Sequence, residues 1–282
     1  MREGFVRVGG VPLHIRVEGV GPVCVLSAGL GLAWFDWDAV VPLLAPHRTV
    51  VRFDRPGHGL SASAAPAGAV GEAHRIAGLL DALGPALPPG PVTVVGHSLA
   101  GLHAEAFARL YPARTAALVL VDSSVEERRP YAPAPALRTA GARVLGGALT
   151  AAGLPAALGP LARRAVVRAG RTGGPDPAPR ELVRRCYRTG RVWRGALREN
   201  ARYADTAAGL LALRRGRRPL RAPVRVLAAY DGSGGRGAVR WLARQAALAE
   251  ALGARLEVVA PAGHLLMLDR PDRVARAVLA PP

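Results

Sequence analysis

At 282 residues, half of them hydrophobic, the chain is long enough to bury a sizeable core, as one large domain or as one domain carrying an insertion. No apolar run approaches the ~20 residues of a membrane span, and Met1-Arg2-Glu3-Gly4-Phe5 lacks the apolar stretch of a secretory signal, so the expectation is a cytoplasmic protein with no membrane partner. The formal charge of +18 comes wholly from arginine, since the chain has no lysine, and neither a nucleic-acid-binding motif nor interleaved aromatics accompany it; no nucleic-acid partner is expected.

Phe5 to Val8 and Leu13 to Glu18 alternate apolar with polar around Gly9-Gly10 and read as an edge hairpin. Val23-Cys24-Val25-Leu26 is a continuous apolar run, as in a strand buried on both faces. Ser27-Ala28-Gly29-Leu30-Gly31 breaks it, and Asp36 or Asp38 opens a helix carrying Val40, Val41, Leu43 and Leu44. Thr49 to Phe53 is the next strand, followed by the turn-rich Asp54-Arg55-Pro56-Gly57-His58-Gly59. His74 to Leu83 is helical, with Ile76, Leu79, Leu80 and Leu83 on one face.

Val92 to Val95 is a β-branched strand that runs into Gly96-His97-Ser98-Leu99-Ala100, and a helix follows to about Tyr111. A serine placed on a sharp turn between strand and helix has its hydroxyl pushed clear of the sheet, and small neighbours let the two elements approach around it. The pentapeptide resembles the G-x-S-x-G elbow of the α/β-hydrolase family, with Ala100 in the place of the last glycine. Ala117 to Val121 is the following strand.

Beyond Asp122-Ser123-Ser124 the composition changes. From Val125 to Arg221 there are 21 arginines against six acids, which leaves the rest of the chain nearly neutral. Helical pieces fall near Leu137 to Leu145, Leu161 to Val167, Glu181 to Tyr187 and Arg194 to Leu213, with no long β-branched run among them. Strand character returns at Val224 to Ala228, then a helix from about Ala238 to Leu252, the strand Leu256 to Val259 and a helix from Pro271 to Leu279. Alternating strands and helices predict a mostly parallel central sheet flanked by helices. The expected organisation is a core in two parts, residues 1–124 and 222–282, with an arginine-rich helical cap, residues 125–221, inserted after the strand ending near Val121. Cys24 and Cys186 form neither a disulfide framework nor a metal spacing, and Cys24 reads as a small core residue.

The resemblance implies a serine hydrolase acting on an ester or related acyl small molecule, with no metal and no organic cofactor. Ser98 is then the nucleophile. His264, directly after the last strand in a run that resembles the family's C-terminal signature, is the base; His97 adjoins the serine but is expected to point away. Asp231, in the loop after Val224 to Ala228, is the expected acid that orients the base, although Ala229-Tyr230-Asp231-Gly232 sets it one place earlier than the family's turn; Asp122 is the rival. The Leu30 and Leu99 amides form the oxyanion hole, with Ala28 standing where the family usually has a histidine. Trp34 and Phe35 are candidates to wall the substrate pocket, and His58 to line its mouth. The Asp54 to Ser61 loop, similar to the family's Asp-x-x-Gly-x-Gly-x-Ser, has a structural role. The arginine excess raises the expectation of an anionic substrate, against the plainer reading of a solvated basic surface. The alternative function is a non-catalytic small-molecule binder on the same fold. The sequence leaves the oligomeric state open.

Overall fold

The computed structural model describes residues 2–128, 131–216 and 219–280. Arg2–Val8 (β1) and Val11–Glu18 (β2) form the expected hairpin. Val8 lies opposite Val11, and Gly9 and Gly10 both take positive φ, the backbone that a two-residue turn between twisted strands requires. The remaining strands are Val23–Ser27 (β3), Thr49–Phe53 (β4), Val92–His97 (β5), Thr115–Val121 (β6), Val224–Ala229 (β7) and Arg255–Val259 (β8). They make one eight-stranded sheet in the order β1-β2-β4-β3-β5-β6-β7-β8. β2 meets β4 antiparallel, and from β4 onward every pairing is parallel.

The central strands are mostly apolar because both faces are covered, with buried polar side chains such as Arg52 and Thr93 as exceptions. Successive residues alternate between two cores: Val25, Val94, Leu118, Leu120 and Val226 face one, and Leu26, Val95, Val119, Val121 and Leu227 face the other. The helices Val41–Leu44 (α1), Gly68–Leu83 (α2) and Leu99–Leu110 (α3) follow β4 or precede it as the sequence suggests, α1 after a single 3-10 turn at Trp34–Trp37. Asp36 stabilises that turn by accepting the Ala33 N–H at 2.7 Å. α2 and α3 pack together on the first core, with Ile76, Leu79, Leu102 and Phe107 buried between them and the sheet.

Among the described residues, five helices lie between β6 and β7: Pro135–Ala151 (α4), Leu154–Ala169 (α5), Arg180–Tyr187 (α6), Gly190–Ala201 (α7) and Tyr203–Arg215 (α8). The single helix expected from Arg194 to Leu213 is thus two. The chain bends at Arg202, whose N–H is shared between the carbonyls of Arg198 and Glu199. The bend lets α7 pack on α4 while α8 turns inward against α2 and α3, where Ala207 and Leu210 join the first core. Arg236–Leu252 (α9), Leu266–Asp269 (α10) and Pro271–Leu279 (α11) complete the chain, with Val274 and Val278 of α11 in the second core. Among the described residues no single helix is long and apolar enough to cross a membrane. Both cysteines are buried and unpaired.

Candidate active site

Ser98 sits at the junction of β5 and α3 with φ 52° and ψ −126°. A non-glycine residue at positive φ costs on the order of 1–3 kcal/mol, so the surrounding structure must hold it there. Three backbone bonds do so: Ser98 N–H to Val121 O at 3.1 Å, Ser124 N–H to Ser98 O at 3.1 Å and Gly101 N–H to Ser98 O at 2.9 Å. The turn is also too tight for side chains on its inner face. A Cβ on Gly96 would meet Ala100 O at 2.4 Å, and one on Gly101 would meet Ser123 Oγ at 2.0 Å.

His264 lies after β8. Its Nε2 is 3.0 Å from Ser98 Oγ, and its Nδ1 is 2.7 Å from Asp122 Oδ2. The acid expected from sequence is therefore corrected: Asp122, at the end of β6, faces the histidine, and Asp231 does not. Asp231 is exposed and its Oδ1 accepts the Ser233 N–H at 2.8 Å, the local bond of a turn residue, which holds its carboxyl below the ordinary carboxylate range. Asp122 is buried and its other oxygen, Oδ1, accepts the Ala229 N–H and the Trp241 Nε1–H, both at 2.8 Å. These bonds fix the carboxylate plane, so Oδ2 is presented to His264. Trp241, on α9, had no signal in the sequence beyond its size.

His97 packs against His264. It is buried beside the site, its ring 4.8 Å from that of His264, and its Nε2–H donates to the His264 carbonyl at 2.9 Å. Burial first, then the neighbouring His264, pushes its imidazole well below the ordinary range, so it is neutral and supports the His264 loop as a hydrogen-bond donor.

The loop after β3 passes directly beside the serine: a Cβ built on Gly29 would lie 3.1 Å from Ser98 Cβ. Leu99 opens α3, so its N–H has no acceptor within the helix. Arg55 donates to the carbonyls of Ala28 and Gly29, and its Nε and Nη2 meet Glu199 Oε1 and Oε2, each at 2.8 Å. Burial opposes charge on Glu199, but Arg55 and then His58 outweigh it and hold the carboxyl well below the ordinary range. His58 is corrected from the cavity mouth to this buried cluster, with Nε2 3.3 Å from Glu199 Oε2. Trp34 and Phe35 are likewise core residues and line neither cavity at the site: Trp34 lies under the guanidinium groups of Arg16 and Arg52, and Phe35 against Tyr187 and Arg163. The Asp54 loop has the expected structural role, since the Asp54 carboxylate accepts the N–H groups of Trp34 and Leu60, both at 2.9 Å.

His103, on α3, belongs to the same buried cluster. Burial, followed by the charge of Arg55, pushes its imidazole down to about 3 from an ordinary 6.5. Between those values the unfolded chain binds the extra proton and the folded chain does not, so stability is complete above the unfolded value and falls as pH drops. His103→Leu is expected to flatten that decline. In denaturant titrations from about pH 6 to about pH 4 it should lose ~1.4 kcal/mol less per pH unit than wild type; equal slopes would remove His103 as the source.

Two cavities flank the site. One of about 720 Å³ is lined by Asp122, His264, Trp241, Asp231, Arg171 and Thr172. The other, about 380 Å³, is mostly apolar and is lined by Leu30 of the loop and by Ala162, Val166, Trp193, Ala196 and Leu197 of α5 and α7. Among the described residues no group of three or more His, Cys, Asp or Glu side chains is placed to hold a metal.

The model of the alpha/beta hydrolase family matches residues 24–277. The chain is 34% identical over 124 residues to a 2-hydroxy-6-oxo-2,4-heptadienoate hydrolase of Pseudomonas putida, covering 42% of this chain and 44% of that one. It is 36% identical over 140 residues to a pimeloyl-[acyl-carrier protein] methyl ester esterase of Chromobacterium violaceum, covering 48% and 52%. The chain thus spans about half the length of the curated relatives it matches. Among solved structures, the enol-lactonase from Burkholderia xenovorans LB400 superposes with a TM-score of 0.66 at 25% identity, over 98% of both chains.

Proposed function

The chain belongs to the α/β-hydrolase family, and from that membership we propose that it is a serine hydrolase of esters or related acyl compounds, acting through Ser98, His264 and Asp122. The observation that carries the reading is the unbroken line of contacts from Asp122 Oδ2 to His264 Nδ1 and from His264 Nε2 to Ser98 Oγ. The carboxylate keeps the proton on Nδ1, which leaves Nε2 free to accept the serine proton. Ser98 Oγ then attacks the acyl carbon, and the carbonyl oxygen takes up negative charge facing the Leu30 and Leu99 amides. Collapse of the intermediate breaks the bond to the leaving group, which takes the proton from His264. Water, deprotonated by His264, attacks the acyl-enzyme in the second half, and the proton passes to Ser98 Oγ as the acid departs. The names of both relatives, a dienoate hydrolase and a methyl ester esterase, support hydrolysis as the reaction class.

The five helices α4 to α8 act as a cap in this reading, and the apolar cavity beside Leu30 takes the substrate's apolar acyl group. The arginines that line the two cavities are already engaged, Arg163 with Asp36 and Asp176 and Arg171 with Asp269, so the favoured acyl group is neutral rather than anionic. Each methylene buried is worth ~0.8 kcal/mol, about fourfold in kcat/KM. In a series of p-nitrophenyl esters from acetate to octanoate, kcat/KM is expected to rise by about that factor per methylene until the cavity is full. Ala196→Trp, which narrows the cavity, should flatten the series while leaving acetate turnover within about twofold. Absence of turnover with every ester would overturn the hydrolase reading; a flat wild-type series would remove the cavity from it.

A further inference from the structure

The direction of an amide N–H is fixed by its peptide plane, because the N–H and the preceding C=O point oppositely across a trans bond. For Leu30 the partner carbonyl is Gly29 O. That oxygen accepts a hydrogen bond from Arg55 Nη2 at 2.9 Å, and the neighbouring Ala28 O accepts from Arg55 Nη1. On the far side of Leu30, Gly31 O accepts from Tyr187 Oη at 2.8 Å. The carbonyl in the Leu30 peptide plane is therefore held by Arg55, and the loop is held again two peptides further on, at Gly31 O, by Tyr187. Tyr187 belongs to α6. Arg55 belongs to the core, but its fork is closed by both oxygens of Glu199, which is on α7 and 144 residues away in sequence. Arg55, Tyr187 and Glu199 are all buried, at 3%, 6% and 8% exposure, so no solvent competes for these bonds. Ala28 stands where the resembling family usually has a histidine, and Arg55 and Tyr187, from outside the loop, add to the loop's own bond from the Leu32 N–H to Gly29 O at 3.2 Å.

We propose that the cap clamps the oxyanion loop, Tyr187 directly and Glu199 through Arg55, and that these three positioning residues aim the Leu30 N–H at the developing oxyanion. The clamp rests on the reading of Leu30 as an oxyanion donor. It makes seating of the cap a condition of catalysis rather than of substrate binding alone. Loss of the clamp should lower kcat and leave KM for a small ester nearly unchanged, since the oxyanion forms in the transition states and the tetrahedral intermediate and not in the bound ester.

The test compares wild type with Tyr187→Phe, with the double variant Arg55→Met/Glu199→Leu, and with Ser98→Ala. The double variant removes both members of the ion pair, so neither is left buried without its partner. Kinetics use p-nitrophenyl acetate, and each variant is also titrated with an alkyl trifluoromethyl ketone. Ser98 Oγ adds to the carbonyl carbon of that ketone, and the resulting oxyanion occupies the hole while His264 holds the proton. Thermal unfolding by circular dichroism establishes that each variant is folded at the assay temperature. The expected result is a kcat lowered ~10²-fold in the double variant and ~3–10-fold in Tyr187→Phe, with KM within about twofold. The inhibition constant of the ketone should weaken by the same factors. Folded variants with wild-type kcat and wild-type ketone inhibition would overturn the clamp, as would a rise in KM with kcat unchanged. If the double variant does not fold, Tyr187→Phe decides by the same criteria, because it keeps the ring packed against Phe35. Retention of activity by Ser98→Ala would instead refute the serine-hydrolase reading on which the clamp rests.

Discussion

Ser98→Ala is expected to abolish covalent labelling by a fluorophosphonate and to lower turnover of p-nitrophenyl acetate by about 10⁴–10⁶-fold. Without Oγ there is no acyl-enzyme, and the residual rate comes from binding and the oxyanion amides alone. The fold should be unaffected. The bonds that hold residue 98 at φ 52° are made by its backbone and by Gly101, Val121 and Ser124, none of which involves the hydroxyl. Unchanged thermal unfolding therefore accompanies the lost activity. Mass spectrometry of the labelled wild-type protein should place the adduct on the peptide containing Ser98. Labelling that survives in Ser98→Ala would move the nucleophile elsewhere. A wild-type protein that neither labels nor turns over esters, yet binds acyl ligands, would be the non-catalytic binder that the same fold permits.

Much of the architecture was legible because it rests on local signals. The apolar runs at Val23 to Leu26 and Val92 to Val95 are strands whose two faces feed two different cores, so they are apolar apart from the buried Thr93. The elbow was legible because its turn demands small residues at fixed offsets, and Gly96 and Ala100 stand at those offsets. His264 was legible from its place after the last strand. What failed was everything decided by contacts across the sheet. Asp122 and Asp231 end neighbouring strands, β6 and β7, and the sequence shows both as turn residues. Only the third dimension brings the Ala229 N–H and the Trp241 indole to Asp122. Trp34 and Phe35 follow the oxyanion loop in sequence, but stacking against Arg52 and Arg163 draws them into the core. Glu199 stood in the sequence as one of six acids among 21 arginines. Its spacing from Val192 and Gly195 puts all three on the buried face of α7, and that spacing was the one available sign that it turns inward toward Arg55.

Asp122→Asn is expected to lower kcat by ~10³–10⁴-fold, whereas Asp231→Asn should leave it within about twofold. The geometry gives the reason. Oδ1 of Asp122 faces two donors, the Ala229 N–H and the Trp241 Nε1–H, and a carboxamide can satisfy them only by placing its oxygen there. Its NH₂ must then occupy the position of Oδ2 and point at His264 Nδ1. Two donors cannot share that bond, so the imidazole is driven to the tautomer with its proton on Nε2. The atom facing Ser98 Oγ becomes a donor and can no longer take the serine proton. Asparagine suits the backbone as well as aspartate does, since residue 122 has φ 42° and both side chains tolerate that region. Thermal unfolding should therefore move little while kcat collapses. Asp231 touches neither His264 nor Ser98, and the amide oxygen of asparagine can still accept the Ser233 N–H. Steady-state kinetics of the two variants on one ester separate the readings. A mild Asp122→Asn beside a severe Asp231→Asn would require the loop after β7 to rearrange in solution and return the acid's role to Asp231.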